Sequence, residues 1–234
     1  SIKENQQKAI GKLTADIGIT CGMGYASMSS GTGGYMLARA FVENFGYSNA
    51  VAMQKSSGCT AAETKNAIVS NLDAGYPVAV SIDGAGGHEV VGDGYGYSGG
   101  DFFIHINLGW ANLDDGNVWY RPPDIDRYTS IDSIVYNVYP TGEAGTSIVS
   151  GRILNSGGLP VKGATVRALV GGRQVSAVTS DSKGIYALKV SPGTCRIEAE
   201  KDGLVAGRNI TVAACVSPRI EDSGIYWDDV KPQI

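Results

Sequence analysis

The sequence predicts an α+β unit, helices first and then an antiparallel sheet, followed by a second, all-β unit built as a sandwich. Three observations carry this. Apolar residues recur at helical spacing only before Gly75. Beyond it they alternate, or run in short segments bounded by Gly, Pro, Asn and Asp. The charge changes sign along the chain as well. Residues 1–144 carry 8 Lys/Arg against 15 Asp/Glu, and residues 145–234 carry 11 against 8, so the two stretches are −7 and +3.

The elements follow in order. Ala9, Ile10, Leu13 and Ile17 mark a helix over 4–16. The Ser29-Ser30-Gly31-Thr32-Gly33-Gly34 turn then offers serines to cap a helix over 35–44, where Leu37, Ala40 and Phe41 make the apolar stripe and Gly46 stops it. A short strand is expected at 50–54. Thr60 caps a helix over 61–74, closed by Gly75. Strands are expected at 77–82, 89–93, 102–107, 116–120 and 134–139. A linker is read at 141–146, and strands follow at 147–154, 165–170, 173–179, 185–190, 194–201 and 208–213. The tail, 217–234, is poor in apolar residues.

Composition narrows the function. The 33 glycines among 234 residues are about twice the usual share and point to tight turns. A net charge of −4 argues against nucleic acid as the main partner, and nothing approaches the run of about 18 apolar residues that a membrane span needs. No signal peptide is read, and Ser1-Ile2-Lys3-Glu4 looks like the interior of a helix, so Ser1 is expected to be a cut end. The four cysteines, Cys21, Cys59, Cys195 and Cys215, fall two in each unit. That permits a Cys21–Cys59 and a Cys195–Cys215 disulfide, consistent with export, or buried free thiols. None has zinc-ligand spacing, Asp114-Asp115-Gly116-Asn117 lacks the pattern of a calcium loop, and no cofactor or metal is expected.

The chemistry concentrates in Gly86-Gly87-His88-Glu89-Val90-Val91 and Phe103-Ile104-His105-Ile106-Asn107-Leu108-Gly109-Trp110. His88 opens a strand and Asn107 lies in the next, so antiparallel pairing is expected to set them side by side, as an imidazole and the amide that orients it. That is two-thirds of a Cys-His-Asn peptidase site, in which the thiolate attacks and the histidine protonates the leaving amine. Gly86 and Gly87 let a substrate backbone approach. Trp110 is expected to shield the histidine–asparagine hydrogen bond. His105, without glycine access, reads as an ordinary strand residue.

These blocks resemble those that flank the active site of streptopain-type cysteine peptidases, papain-like enzymes secreted by bacteria. Leu13-Thr14-Ala15-Asp16-Ile17-Gly18-Ile19, Ser29 to Gly34 and Glu43-Asn44-Phe45-Gly46-Tyr47 are similar to that family in the same order, and the resemblance covers about residues 4–140. It implies a papain-like half in 1–140, catalytic His88 and Asn107, and a substrate cleft at Ser29, Ser30, Gly31, Thr32, Gly86, Gly87 and Trp110. It also implies a protein or peptide substrate, and a secreted or cell-surface place on a bacterium. Leu108 stands where the family has tryptophan, and the family's glycine-rich loop is replaced by Tyr120-Arg121-Pro122-Pro123-Asp124-Ile125-Asp126. The family's nucleophilic cysteine lies far before the histidine, so an N-terminal segment outside these 234 residues is expected to supply it. Cys21 precedes no helical stripe, and Cys59 falls in a loop that varies within the family. The isolated chain is therefore expected to be inactive, and a scaffold without a nucleophile, serving binding or adhesion, is the alternative. Residues 147–216 resemble the carboxypeptidase-regulatory-like module, a transthyretin-type β-sandwich, with Asp181, Gly184 and Tyr186 forming its structural turn.

Overall fold

Helices are confined to the first third of the chain, and a computed structural model describes residues 3–84, 86–110, 117–142 and 144–213. The Asp114–Asp115 turn, Cys215 and the tail lie outside the described residues. Helix α1 spans Glu4–Thr20, α2 Gly34–Glu43 and α3 Ala61–Asp73. Thr60 caps α3 as expected, accepting from the Glu63 N–H at 3.2 Å while the Glu63 carboxylate accepts from the Thr60 N–H at 2.8 Å. Two elements depart from expectation. Ile10 and Leu13 of α1 are 54% and 52% exposed, so most of its apolar stripe is uncovered, and only its C-terminal end packs, through Ile17 beside Cys21, Met36 and Ala40. No serine caps α2 either. Gly33 is its N-cap, and Ser30 is drawn into a small hairpin, β1 Gly24–Tyr25 with β2 Ser30–Gly31.

Strands β3 Asn49–Gln54, β4 Val78–Asp83, β5 His88–Ser98, β6 Asp101–Asn107, β7 Asn117–Tyr120 and β8 Ser130–Tyr139 form one antiparallel sheet. Its order is β3-β8-β4-β5-β6-β7. On one face Val78, Val80, Ile82, Val90, Ile104, Ile106 and Ile134 bury themselves against Ala67 and Ile68 of α3. On the other, Ala52, Ala79 and Val135 meet Ala38, Leu37 and Phe41 of α2. That second face is left open farther along the sheet, where Val91 is 44% and Trp119 54% exposed. β5 runs five residues beyond the expected end because Gly99 and Gly100, both at positive φ, close a tight hairpin onto β6.

The second unit pairs a four-stranded sheet with a two-stranded one. The larger has the order β11-β10-β13-β14, from Arg173–Thr179, Thr165–Val170, Gly193–Lys201 and Leu204–Val212; the smaller pairs β12 Ile185–Val190 with β9 Ser147–Arg152. β14 starts earlier than the sequence suggests, because Asp202 and Gly203 take positive φ and turn the chain at once. The two units meet through α3, and the Lys189 ammonium sits 3.9 Å from the Tyr139 ring centroid and 5.1 Å from that of Tyr76. In the turn before β12, Asp181 Oδ1 accepts from the N–H groups of Lys183 and Ile185, each at 2.8 Å. Tyr186 is buried in the sandwich core.

Gly184 in that turn has φ +74°, and a Cβ there would lie on the Ile153 carbonyl. Gly184→Ala is therefore expected to destabilise the second unit by roughly 2–4 kcal/mol, left-handed strain adding to a clash with main chain. Chemical denaturation checks this, and an effect below about 1 kcal/mol would show that the turn yields.

Candidate active site

The site is built at the N-terminal end of β5. Pairing with β4 sets Ile82 opposite His88 and Ser81 opposite Glu89, so alternation sends His88 to the α3 face and Glu89 to the α2 face. The chain enters through Gly86 and Gly87, both exposed, Gly86 at φ +107°. A Cβ at either position would meet nothing within 4 Å.

The His88 ring is half-buried among aromatic groups. Trp110 stacks at 5.7 Å with 16° between planes, and Tyr128 at 6.0 Å with 26°. The Arg127 guanidinium lies 5.4 Å from the Trp110 centroid and 5.5 Å from that of Tyr128. His88 Nε2 is 2.9 Å from the Leu108 carbonyl oxygen. A carbonyl only accepts, so this contact places the proton on Nε2 and leaves Nδ1 as the basic nitrogen of the neutral ring. Trp110 thus packs on the imidazole itself, while its expected task of shielding a histidine–asparagine bond has no such bond to serve.

Asn107 does not reach the ring. Its Oδ1 accepts from the Gly109 N–H at 2.8 Å, holding the turn in which Gly109 has φ +73°. The reason lies in the strand register. Counting back from the Gly99–Gly100 hairpin, where Ser98 faces Asp101, Gly92 would face Asn107. A β-bulge between Gly92 and Gly94 shifts the pairing by one, so Val91 faces Asn107 instead. That shift turns the Asn107 side chain to the face opposite His88. The amide acts locally, and the main chain just beyond it supplies the hydrogen bond to the imidazole. Leu108, whose side chain is buried in the core, needs no aromatic ring for that carbonyl to be placed.

Ser29, Ser30, Gly31 and Thr32, expected to line a cleft, are exposed in and beside the β1–β2 hairpin. The Thr32 hydroxyl donates to the Cys21 carbonyl, and two residues later Gly34 begins α2 against Ser81 and Ser133. The Ser81 hydroxyl donates to the Glu89 carboxylate, and Ser133 Oγ lies 2.7 Å from Ser81 Oγ. Glu89 keeps an open side toward solvent, yet its carboxyl is crowded by these elements. That desolvation pushes its pKa up to about 7, with the Ser81 hydrogen bond pulling the other way. Sequence reasoning missed Glu89, Arg127 and Tyr128. The signal for Glu89 was its place directly after His88 in a strand that alternates faces.

The cysteines are free thiols at Cys21, Cys59 and Cys195, so the expected Cys21–Cys59 bond is not formed. Cys21 packs under α2 with Met36 and Ala40, whereas Cys59 lines a cavity of about 410 Å³ with Met53, Ile68 and Phe102. Burial pushes the Cys21 thiol up, the Thr20 hydrogen bond pulls it down in part, and the Glu89 charge adds a smaller upward push. Cys195 is buried in the sandwich core. His105 pairs its Nδ1 with Asp93 Oδ1 at 2.6 Å and stacks on Trp119 at 5.0 Å. Among the described residues no three His, Cys, Asp or Glu side chains gather as a metal site, and no helix is long and apolar enough to cross a membrane.

The class to which these features point is that of the cysteine peptidases. The peptidase C10 family model matches residues 1–120, and the chain belongs to that family. A carboxypeptidase regulatory-like domain matches residues 148–221. Streptopain from Streptococcus pyogenes serotype M28 (strain MGAS6180) is 35% identical over 112 residues, 47% of this chain and 27% of that protein. The thiol protease/hemagglutinin PrtT from Porphyromonas gingivalis is 25% identical over 205 residues, 82% of this chain and 23% of that protein. The chain therefore spans about a quarter of the length of these curated relatives.

Because the folded Glu89 carboxyl titrates near 7, above the ordinary carboxylate range, the folded state holds more protons than the unfolded one between those values. Stability is expected to fall as pH rises from 5 to 8, and Glu89→Gln is expected to lose that slope. Urea midpoints at four pH values check this; parallel curves for the two proteins would show the carboxyl to be well solvated.

Proposed function

We propose that the chain is the C-terminal portion of a secreted, streptopain-like cysteine endopeptidase, with a papain-like arrangement over 1–140, a linker at 141–146, a β-sandwich at 147–216 and a tail at 217–234. His88 is its acid/base, and a protein segment outside this chain brings the nucleophilic thiol. The single observation that carries the reading is the state of the imidazole. Nε2 is anchored on the Leu108 carbonyl, which leaves Nδ1 as the free basic nitrogen, and the ring stacks on Trp110 and Tyr128.

A thiol brought to Nδ1 gives it the proton, forming a thiolate–imidazolium pair. The thiolate attacks the peptide carbonyl. As the tetrahedral adduct collapses, the Nδ1 proton passes to the leaving amine, and water then releases the acyl group with the same nitrogen as base. Asn107 enters as a positioning residue, since its hold on Gly109 fixes the turn that carries the Leu108 carbonyl. The uncovered Ile10, Leu13 and Ile19 of α1, with Tyr25 and Met28 near the cleft segment, support a further protein segment docking on that side. A binding or adhesive role is the second reading, favoured by the match to a thiol protease/hemagglutinin that extends across most of this chain.

The 234-residue chain alone is expected to leave casein and fluorogenic peptides uncut, since Cys21 is buried under α2 and Cys59 lines a cavity beside α3 that does not include His88. Thiol-reagent-sensitive turnover by this chain would assign the nucleophile to one of them.

In the complete protein, His88→Ala is expected to lower kcat/KM at least about a thousandfold, the scale set by losing a general acid/base. His105→Ala is expected to retain most activity. Equal losses in the two variants would move the acid/base role away from His88, and full activity in both would leave only the adhesive reading.

A further inference from the structure

Beside the imidazole, β5 carries a second functional group on the other face of the sheet. Glu89 points to the side where the cleft segment enters α2. There its carboxylate accepts from Ser81, Ser81 is within 2.7 Å of the Ser133 hydroxyl, and the bare α-carbon of Gly34 closes the wall. A Cβ at position 34 would stand 2.9 Å from Ser133 Oγ and 3.2 Å from Ser81 Oγ, so a side chain there would crowd the two hydroxyls. Neutral hydroxyls line the acid, and its remaining side is open.

The contrast with neighbouring acids is informative. Asp93 and Asp101 are paired with His105 and Arg121, whereas among the described residues no basic side chain forms an ion pair with Glu89. Crowding by protein raises the cost of its charge, so a cation entering from the open side gains more here than at a fully solvated carboxylate. The position also suits a peptide. His88 and Glu89 are adjacent, and an extended chain advances about 3.3 Å per residue. Their side chains take opposite faces of the sheet, so a peptide with its reacting carbonyl at His88 would bring a side chain to Glu89 by bending round the Gly86–Gly87 end of β5.

We propose that Glu89, with Ser81 and Ser133, forms a subsite for the lysine or arginine side chain of the peptide laid across His88, an inference that rests on the peptidase reading above. The guanidinium or ammonium group fills the open side of the carboxylate, and the serine hydroxyls hold the carboxylate in place. The selectivity belongs to this chain, and the thiol is not needed for it.

The test uses the 234-residue chain and two peptides, acetyl-Gly-Arg-Gly-amide and its citrulline counterpart, which keeps the shape of arginine without the charge. Titrations followed by NMR are expected to show the arginine peptide binding at least about tenfold more tightly, or about 1.4 kcal/mol. The Glu89 side-chain resonances are expected to shift. Glu89→Gln, which keeps the contact with Ser81, is expected to bring the two peptides within about twofold, whereas Asp93→Asn leaves the preference intact. Equal binding of the two peptides, no binding of either, or a preference that survives Glu89→Gln overturns the subsite. The same peptides carrying a fluorogenic leaving group are then given to the complete protein. Arginine-selective binding with neither peptide cut removes the peptidase reading and leaves the subsite standing. Cutting of both without preference removes the subsite alone.

Discussion

The register between β4 and β5 is the constraint on which the site depends. Ile82 opposite His88 and Ser81 opposite Glu89 fix which face each side chain takes at the mouth of the strand. That pairing is anchored by Val78, Val80 and Val90, each 3% exposed or less. A slip of one residue would expose these valines and exchange the two functional groups between faces. The apolar core therefore specifies the site as strictly as it stabilises the sheet. The imidazole is delivered to an aromatic pocket and the carboxylate to a polar one by a single hydrophobic alternation.

Orientation of the imidazole depends on the main chain as well. In a Cys-His-Asn arrangement an amide side chain accepts from the ring; here a carbonyl does so, from a turn that the same amide braces from within. A carbonyl held between a buried leucine side chain and a braced glycine is as firm an acceptor as a side-chain amide. It also has no second, donating end, so it fixes the tautomer without ambiguity. Position 108 can then be chosen for burial alone. Leucine there fills the core beside Ile106 and Ile125, and the aromatic cover of the ring comes from Trp110 and from Tyr128 in the 121–129 turn.

Much of the fold was legible because local and global signals agreed. Thr60 before the helix and Gly75 after it announced α3, the apolar run at 77–82 announced β4, and Asp181 with Gly184 announced the turn before β12. The failures share a cause. The full lengths of β5 and β14, the bulge at Gly92–Gly94 and the absence of a serine cap on α2 are set by glycine geometry and pairing across strands, which no single segment encodes. Of the candidate site, Gly86-Gly87-His88 was readable because glycine access and a strand-opening histidine are local features. Asn107 was misplaced because one inserted residue in the facing strand decides its side of the sheet. Tyr128 and Arg127 reach the ring from a distant turn and left no local mark. The stripe of α1 was read correctly as apolar, but periodicity states only that a face is apolar and does not say what covers it.

The electrostatics of the two thiols in this unit complete the reasoning. A nucleophilic cysteine needs positive potential and an adjacent base. Cys21 has the opposite: burial under α2 raises its pKa, and the Glu89 charge adds a smaller push in the same direction against the lowering by the Thr20 hydrogen bond. Cys59 is partly buried and lines a cavity bounded by α3, whose lining includes neither Cys21 nor His88. The same carboxylate that suits a cationic substrate group thus works against a thiolate at Cys21. An acid placed to attract a basic side chain is compatible with a thiolate only if that thiolate forms elsewhere, and the His88 side chain takes the opposite face of the sheet from Glu89. The parity of β5 separates the two groups: imidazole on one face, carboxylate on the other.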